Sequence, residues 1–131
     1  MVVDTSAILA ILLDEPERRP FVEAISGAGR SLLSVASLLE CTIVIETKRG
    51  EAGGRELDLF LHRAGVEVAG VDGDQLELAR RAWRRFGKGR HPAALNFGDC
   101  FSYALSVHGG WPLLFKGRDF ARTDVAPALS G

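Results

Sequence analysis

Four acidic residues of this 131-residue chain lie in or beside apolar stretches, namely Asp4, Glu40, Asp99 and Asp119. An ionised carboxylate in apolar surroundings is costly unless it is paired or bound to a metal. Four carboxylates brought together would also raise one another's pKa, and a hard divalent cation removes that penalty. Mg²⁺ and Mn²⁺ prefer such oxygen ligands. The set therefore predicts a Mg²⁺ or Mn²⁺ site suited to hydrolysis of phosphodiesters.

Two of these acids also have structural explanations. Asp4 fits the N-cap of the helix that follows it, although Thr5 or Ser6 would cap that helix about as well. Glu40 fits a capping box only if Ser37, three residues before it, is the N-cap of its helix. Ser34 is the better cap, and it places Glu40 in the second turn, where a box cannot use it. The metal interpretation is therefore preferred for these two.

Local structure explains the other two acids at least as well when each is taken alone. Asp99 lies three residues after Asn96, a good N-cap, and so falls in a helix's first turn, which explains it about as well as a metal does. Asp119 follows an apolar run, and on its own a turn is the preferred explanation for it. Zinc is disfavoured because there is no cysteine cluster and the histidines lack ligand spacing; they are His62, His91 and His108.

Short apolar runs alternate with amphipathic segments along the chain. Strands are predicted at 1–3, 30–33, 66–71 and 112–115. Helices are predicted at 6–13, 16–26, 34–49, 55–64, 72–87 and 96–108, with Gly53-Gly54 separating the third from the fourth. The pattern predicts a single α/β domain, residues 1–131, with a central parallel sheet flanked by helices in three layers. Asp4 and Asp119 would then lie at the carboxyl edge of the sheet, where sites form.

The formal net charge of −1 conceals a strong partition. Residues 78–118 hold eight basic residues and one acid, so this segment is strongly positive and the remainder strongly negative. Six of the bases fall within 80–90, and Trp83 and Phe86 are interleaved with them. The six bases are Arg80, Arg81, Arg84, Arg85, Lys88 and Arg90. Such a segment suits an RNA backbone and unstacked bases, but a solvated helix face explains it equally well.

The sequence favours a cytoplasmic protein without a membrane partner. The N-terminal apolar run, 8–13, is too short to span a bilayer and no basic residue precedes it. Cys41 and Cys100 are isolated within apolar stretches, which is typical of small buried side chains in a reducing compartment.

Four motifs occur in a telling order and spacing: Val2-Val3-Asp4-Thr5-Ser6-Ala7, Glu40 in the third helix, Leu95-Asn96-Phe97-Gly98-Asp99-Cys100, and Lys116-Gly117-Arg118-Asp119-Phe120. Together they resemble the PIN-domain ribonucleases, and most closely the VapC-type toxins of bacterial toxin–antitoxin pairs. The likeness extends over nearly the whole chain. It implies a PIN-like α/β/α fold, Mg²⁺- or Mn²⁺-dependent cleavage of RNA, a homodimer, and inhibition by a cognate VapB-like antitoxin.

The resemblance also implies roles for particular residues. The four acids match the family's catalytic metal ligands, and Thr5 or Ser6 together with Asn96 match polar residues that support them. Arg118 departs from the family pattern, since many relatives have a small polar residue there. If its side chain points inward, it would bind RNA phosphate or weaken metal occupancy.

Three other functions compete with a toxin ribonuclease. One is a non-catalytic domain of the same scaffold that binds RNA or a partner helix. Another is a PIN nuclease that processes RNA without an antitoxin. A third is a receiver-like or phosphatase-like domain with Asp4 as phosphate acceptor, although the second acid such domains place beside it is lacking. Surplus apolar residues between Ser34 and Ala64 also suggest an antitoxin or dimer surface.

Overall fold

The computed structural model describes residues 1–129 and contains a parallel sheet of four short strands. The strands are β1 (Val2–Val3), β2 (Ser31–Ser34), β3 (Val66–Ala69) and β4 (Leu113–Leu114). Their order is β3-β2-β1-β4, so β1 is central and its Val2 pairs with both Leu32 and Leu113. The predicted parallel sheet is confirmed.

Helices cover both faces of this sheet. They are α1 (Thr5–Leu12), α2 (Arg18–Gly27), α3 (Val35–Ala64), α4 (Gly73–Phe86) and α5 (Phe97–Gly109), followed by a 3₁₀ turn, Phe120–Arg122. Adjacent strand residues point to opposite faces. Val3 packs in the core formed with α1, α2 and α3, whereas Val2 packs in the core formed with α4 and α5. The three-layer α/β/α arrangement is therefore confirmed.

The break in the long helix lies elsewhere than predicted. The backbone leaves helical geometry at Gly50, with φ 66° and ψ −163°, and not at Gly53-Gly54, which are helical. A Cβ on Gly53 would lie 2.9 Å from the Ile45 carbonyl oxygen, and one on Gly54 would lie 2.8 Å from Glu46 Oε2. The prediction was wrong because these two glycines allow close packing of the two halves of α3, while Gly50 supplies the left-handed backbone.

Three of the strands deliver the segments that carry the predicted acids. Asp4 directly follows β1, and its backbone N–H donates to the Leu114 carbonyl at 2.9 Å, which extends the pairing of β1 with β4. Glu40 lies on α3, which follows β2, and Asp119 follows β4. The crevice between β1 and β4 is also where the connections leave the sheet in opposite directions, the usual place for a site in such sheets.

Among residues 1–129, no helix is both long enough and apolar enough to cross a membrane.

Candidate active site

Asp4 is the most enclosed of the four acids, with 3% of its surface exposed. It is the N-cap of α1, since its Oδ2 accepts a hydrogen bond from the Ser6 backbone N–H at 3.0 Å. Its Oδ1 accepts one from the Ser102 hydroxyl at 2.5 Å. The structure therefore shows the capping role that the sequence left open. The second hydrogen bond holds the other carboxylate oxygen from outside α1, by a residue of α5.

Two buried serines support Asp4 and were not predicted. Ser102 on α5 and Ser37 on α3 are fully buried, and their hydroxyl oxygens are 3.2 Å apart. Because Ser102 donates its proton to Asp4, the Ser37 hydroxyl donates to Ser102. A signal was available, since Ser102 lies three residues after Asp99 and Ser37 three before Glu40, the spacing that shares a helix face.

Asp99 begins α5 and completes a reciprocal capping box. Its backbone N–H donates to Asn96 Oδ1 at 2.9 Å, and its own Oδ2 accepts from the Asn96 backbone N–H at 3.0 Å. The pKa of the Asp99 carboxyl is raised to about 7, mainly by burial. The negative charges of Asp4, Asp119 and Glu40 contribute smaller increases, and the hydrogen bond from the Asn96 backbone N–H opposes the rise. Asp99 is thus both a cap and a member of an electrostatically coupled acidic group.

Gly98 is the reason that Glu40 can approach α5. A Cβ built on Gly98 would lie 2.6 Å from Glu40 Oε1 and 2.7 Å from its Cδ, well inside contact distance. The carboxylate therefore lies directly against the glycine, one residue before Asp99. Gly98 belongs to the sequence motif around Asp99, but nothing in the sequence indicated that it makes room for the Glu40 carboxylate.

Asp119 is exposed, unlike the other three acids. It lies in the turn after β4, immediately before the 3₁₀ turn Phe120–Arg122, and its side chain makes no capping hydrogen bond there. Its charge nevertheless contributes to the raised pKa of Asp99, so these two carboxyl groups are close enough to interact electrostatically. Arg118 beside it is also exposed.

The four acids offer the carboxylate oxygens that a hard cation prefers as ligands, but they do not form a complete metal site as they stand. Within residues 1–129, none of the four acids forms an ion pair with a basic side chain. In the same range, no three His, Cys, Asp or Glu side chains are close enough to hold a metal ion as they stand. Unpaired carboxylate oxygens that raise one another's pKa suit Mg²⁺ or Mn²⁺, provided that the side chains move closer together.

The three predicted supporting residues occupy different positions. Thr5 is buried, and its hydroxyl donates to the Ser37 carbonyl at 3.4 Å. Ser6 holds Asp4 through its backbone and, through its hydroxyl oxygen, accepts a hydrogen bond from the Lys116 backbone N–H at 2.9 Å. Asn96 acts only on Asp99, as its capping partner.

All six basic residues predicted to bind RNA are exposed, on the second half of α4 and in the loop after it. Three of them already have partners. Arg80 pairs with Glu77 at 2.7 Å, Arg85 pairs with Asp124 at 3.2 Å, and Arg90 stacks 4.2 Å from the Trp83 ring centroid. These exposed partners leave the guanidinium groups accessible.

The basic face of α4 borders an open groove against α5. Arg80 and Arg84 line this groove, of about 440 Å³, together with Phe97 and Phe101. Phe97 is next to Gly98 in the sequence, but none of the four acids lines the groove. Of the two aromatic residues among the bases, only Trp83 is exposed; Phe86 is buried in the core.

Both cysteines are free and buried, as predicted. Burial is the main reason that the pKa of the Cys41 thiol rises to about 12 and that of Cys100 to about 11. A thiol with so high a pKa is a poor nucleophile and metal ligand at neutral pH. Their role is therefore structural.

The apolar residues between Ser34 and Ala64 divide into core and surface. Cys41, Ile45, Leu57 and Leu61 are buried and several others are partly buried. Val35, Leu39 and Ile43 recur every four residues on α3 and are exposed, Leu39 to 61% and Ile43 to 58%. Side chains four apart form a single stripe on a helix. Such a stripe marks a surface suited to a protein partner.

This chain is similar to known proteins over nearly its whole length. The model of the PIN domain family matches residues 1–126. Ribonuclease VapC of Mycolicibacterium smegmatis is 58% identical over 126 residues, which cover 96% of this chain and 98% of that protein. Ribonuclease VapC30 of Mycobacterium tuberculosis is 56% identical over 126 residues, 96% of each chain.

A solved structure shares the fold. The crystal structure of Mycobacterium tuberculosis VapC20, described as a toxin that cleaves the sarcin–ricin loop, superposes with a TM-score of 0.77. It covers 95% of both chains at 19% sequence identity, so this likeness shows the fold alone. The extent of the family match and the identity to the two ribonucleases show that this chain belongs to the VapC ribonucleases of the PIN-domain family, the endoribonuclease toxins of toxin–antitoxin pairs.

Proposed function

We propose that this VapC ribonuclease hydrolyses RNA phosphodiester bonds with Mg²⁺ or Mn²⁺ held by Asp4, Glu40, Asp99 and Asp119. The observation that carries the proposal is that the Glu40 carboxylate lies against Gly98, next to Asp99, and that Asp4 is buried, while none of the four acids pairs with a basic side chain within residues 1–129. The raised pKa of Asp99, caused first by burial and in smaller part by the charges of the other three acids, agrees with it. Carboxylates that destabilise one another's charged forms create a site that a divalent cation would stabilise.

Each acid has a distinct part in this proposal. Asp4 is the fixed ligand, because hydrogen bonds from Ser6 and Ser102 hold both of its oxygens. Asp99 is a second ligand whose capping bond to Asn96 uses Oδ2 and leaves Oδ1 available. Glu40 ligates or orients the attacking water, and exposed Asp119 completes the shell. A bound cation would supply an activated water and stabilise the leaving oxygen.

The exposed bases of 80–90 would hold the RNA backbone beside these acids. Arg80 and Arg84 are best placed, since they line the groove that begins at Phe97. Neutralising backbone phosphates gives affinity without sequence preference, so this surface would set binding strength and leave the choice of cleavage site to the groove's shape.

The protein partners implied by the family belong to the same proposal. A cognate VapB-like antitoxin would silence the enzyme, and the enzyme would act as a homodimer. The exposed stripe of Val35, Leu39 and Ile43 supports a protein partner on α3. Analytical ultracentrifugation of the purified chain, alone and with the antitoxin, would test both.

The decisive experiment compares RNA cleavage by the purified chain with Mg²⁺, with Mn²⁺ and with excess EDTA. Asp4→Asn should lower the cleavage rate by at least about 100-fold. Loss of a group that only supports a metal ligand costs up to about 100-fold, and Asp4 is proposed as a ligand itself. Asp58→Asn, which removes an exposed carboxylate on α3, is the matched control and should cleave normally. Undiminished cleavage in EDTA, or by Asp4→Asn, would refute the proposal.

A further inference from the structure

The turn that carries Asp119 is held in place at Lys116. Asp119 is exposed and its side chain makes no capping bond, so it does not anchor the turn itself. Lys116, three residues earlier, is held at both ends. Its backbone N–H donates to the Ser6 hydroxyl oxygen at 2.9 Å, and its Nζ lies 2.8 Å from Glu15 Oε2 and 3.1 Å from Glu17 Oε2.

Ser6 links this turn directly to the most buried acid. Its backbone N–H donates to Asp4 Oδ2, while its hydroxyl oxygen accepts from Lys116. One residue thus contacts both the acid at the end of β1 and the segment leaving β4. These elements are far apart in sequence, and the hydrogen bond between Ser6 and Lys116 spans 110 residues.

The ammonium group of Lys116 is also poorly suited to contact RNA. The hydrogen bond to Glu15 and, to a lesser extent, the interaction with Glu17 raise its pKa, and the two carboxylates more than balance its charge. Lys116 therefore differs from the exposed bases of 80–90, although it lies in the same positive segment of the sequence. Its charge is directed at the connection between α1 and α2.

We propose that Ser6 and Lys116 are positioning residues that hold the turn 115–119 against the start of α1, the helix that Asp4 caps, and so keep Asp119 on the side of the site where Asp4 lies. This inference rests on the proposed function and adds to it the means by which the exposed acid is placed. Glu15 and Glu17 secure the side chain of Lys116, and Ser6 secures its backbone.

Ser6→Ala tests the backbone link. The variant removes the hydroxyl oxygen but keeps the N–H that holds Asp4. Amide hydrogen exchange at Lys116 should become about two- to tenfold faster, and the Kd for Mn²⁺ measured by calorimetry should rise by a similar factor, as expected for loss of one hydrogen bond. Ser6→Thr, which keeps a hydroxyl, should restore most of both, and Ser26→Ala at the exposed end of α2 is the control.

Lys116→Met tests the side-chain link. It should raise the Mn²⁺ concentration needed for half-maximal cleavage while leaving the KM for RNA unchanged, and Lys116→Arg should recover most of the loss. Glu15→Gln combined with Glu17→Gln should have the same effect, with no further loss when Lys116→Met is added. Arg19→Met, which breaks an exposed ion pair with Glu23 on α2, is the control.

The outcomes separate this inference from the proposed function. A higher KM for RNA with unchanged Mn²⁺ dependence in Lys116→Met would make Lys116 an RNA contact and overturn the positioning role. Unchanged Lys116 amide exchange and Mn²⁺ affinity in Ser6→Ala would also overturn it. If instead the unmodified chain neither binds Mn²⁺ nor needs it for cleavage, the metal proposal itself fails.

Discussion

Gly98→Ala should separate the stability of this protein from its activity. The substitution adds one methyl group in the first turn of α5, where it would lie 2.6 Å from Glu40 Oε1 and 2.7 Å from Glu40 Cδ. Since non-bonded carbon contacts are comfortable at about 3.5 Å, the carboxylate must retreat by roughly 0.8 Å or more. Glu40 can do so because its side chain is flexible and half-exposed.

The two effects of the methyl group should have opposite signs. Alanine is favoured over glycine within a helix by roughly 0.5–1 kcal/mol, so the free energy of unfolding should stay level or rise. A displacement of about 1 Å at a reacting group costs up to about 100-fold in rate, so RNA cleavage should fall by 10- to 100-fold. Urea unfolding and single-turnover cleavage of an end-labelled RNA measure these quantities on the same preparation.

Two controls make this prediction sharp. Gly73→Ala adds the same methyl group in the first turn of α4, where nothing lies within 4 Å, and should leave cleavage unchanged. In a Glu40→Ala background there is no carboxylate to displace, so Gly98→Ala should have no further effect on the rate. Full activity in Gly98→Ala, or an equal loss in the Glu40→Ala background, would show that Gly98 does not act through Glu40.

Three further predictions concern the other parts of the site. Ser102→Ala removes a buried donor to Asp4 and should lower the free energy of unfolding by about 1–3 kcal/mol in urea titrations, whereas Ser26→Ala at an exposed position should not. Without metal, the pKa of Asp99 is about 7 in the folded protein and near 4 in the unfolded chain, so the folded state binds the Asp99 proton more tightly. The resulting stabilisation is complete only below the unfolded-state pKa and is lost as the pH rises through 7. The gain in unfolding free energy from Asp99→Asn should therefore be largest at pH 8 and shrink towards pH 5 in EDTA; a constant difference would contradict the raised pKa. Arg84→Ala should raise the KM for RNA without changing kcat and reduce the salt dependence of binding by about 0.7 in log–log slope, while Arg19→Ala should alter neither.

Local signals in the sequence were enough to find the acids and most helix boundaries. Ser34 and Asn96 cap the helices that they were predicted to cap, because a cap depends only on neighbouring residues. The parallel sheet followed from strands of apolar residues separated by helices. Helix caps and the alternation of strands with helices can be predicted without knowing which segments pack against them.

What the sequence did not reveal depends on contacts between distant segments. Ser102 is 98 residues from the Asp4 carboxylate that it supports, and Lys116 is 101 residues from Glu15. The break in α3 was misplaced for a similar reason: the segment offers three glycines, and only packing between the two halves of α3 decides which of them turns. The role of Gly98 likewise exists only because Glu40 arrives from another helix.

The buried chain of hydroxyls from Ser37 through Ser102 to Asp4 has a consequence for how such an enzyme loses its activity. Removing one member leaves a buried polar group without a partner. Replacing all three with apolar residues of similar size removes these buried polar groups together, but it leaves the Ser6 backbone N–H without the cap that Asp4 supplies to α1. Loss of an N-cap costs about 1 kcal/mol, so the triple replacement should fold with a stability close to that of the parent and yet lack the carboxylate proposed as the fixed metal ligand. Selection for folding alone would therefore do little to keep this carboxylate, and inactive descendants would retain the same outer surface.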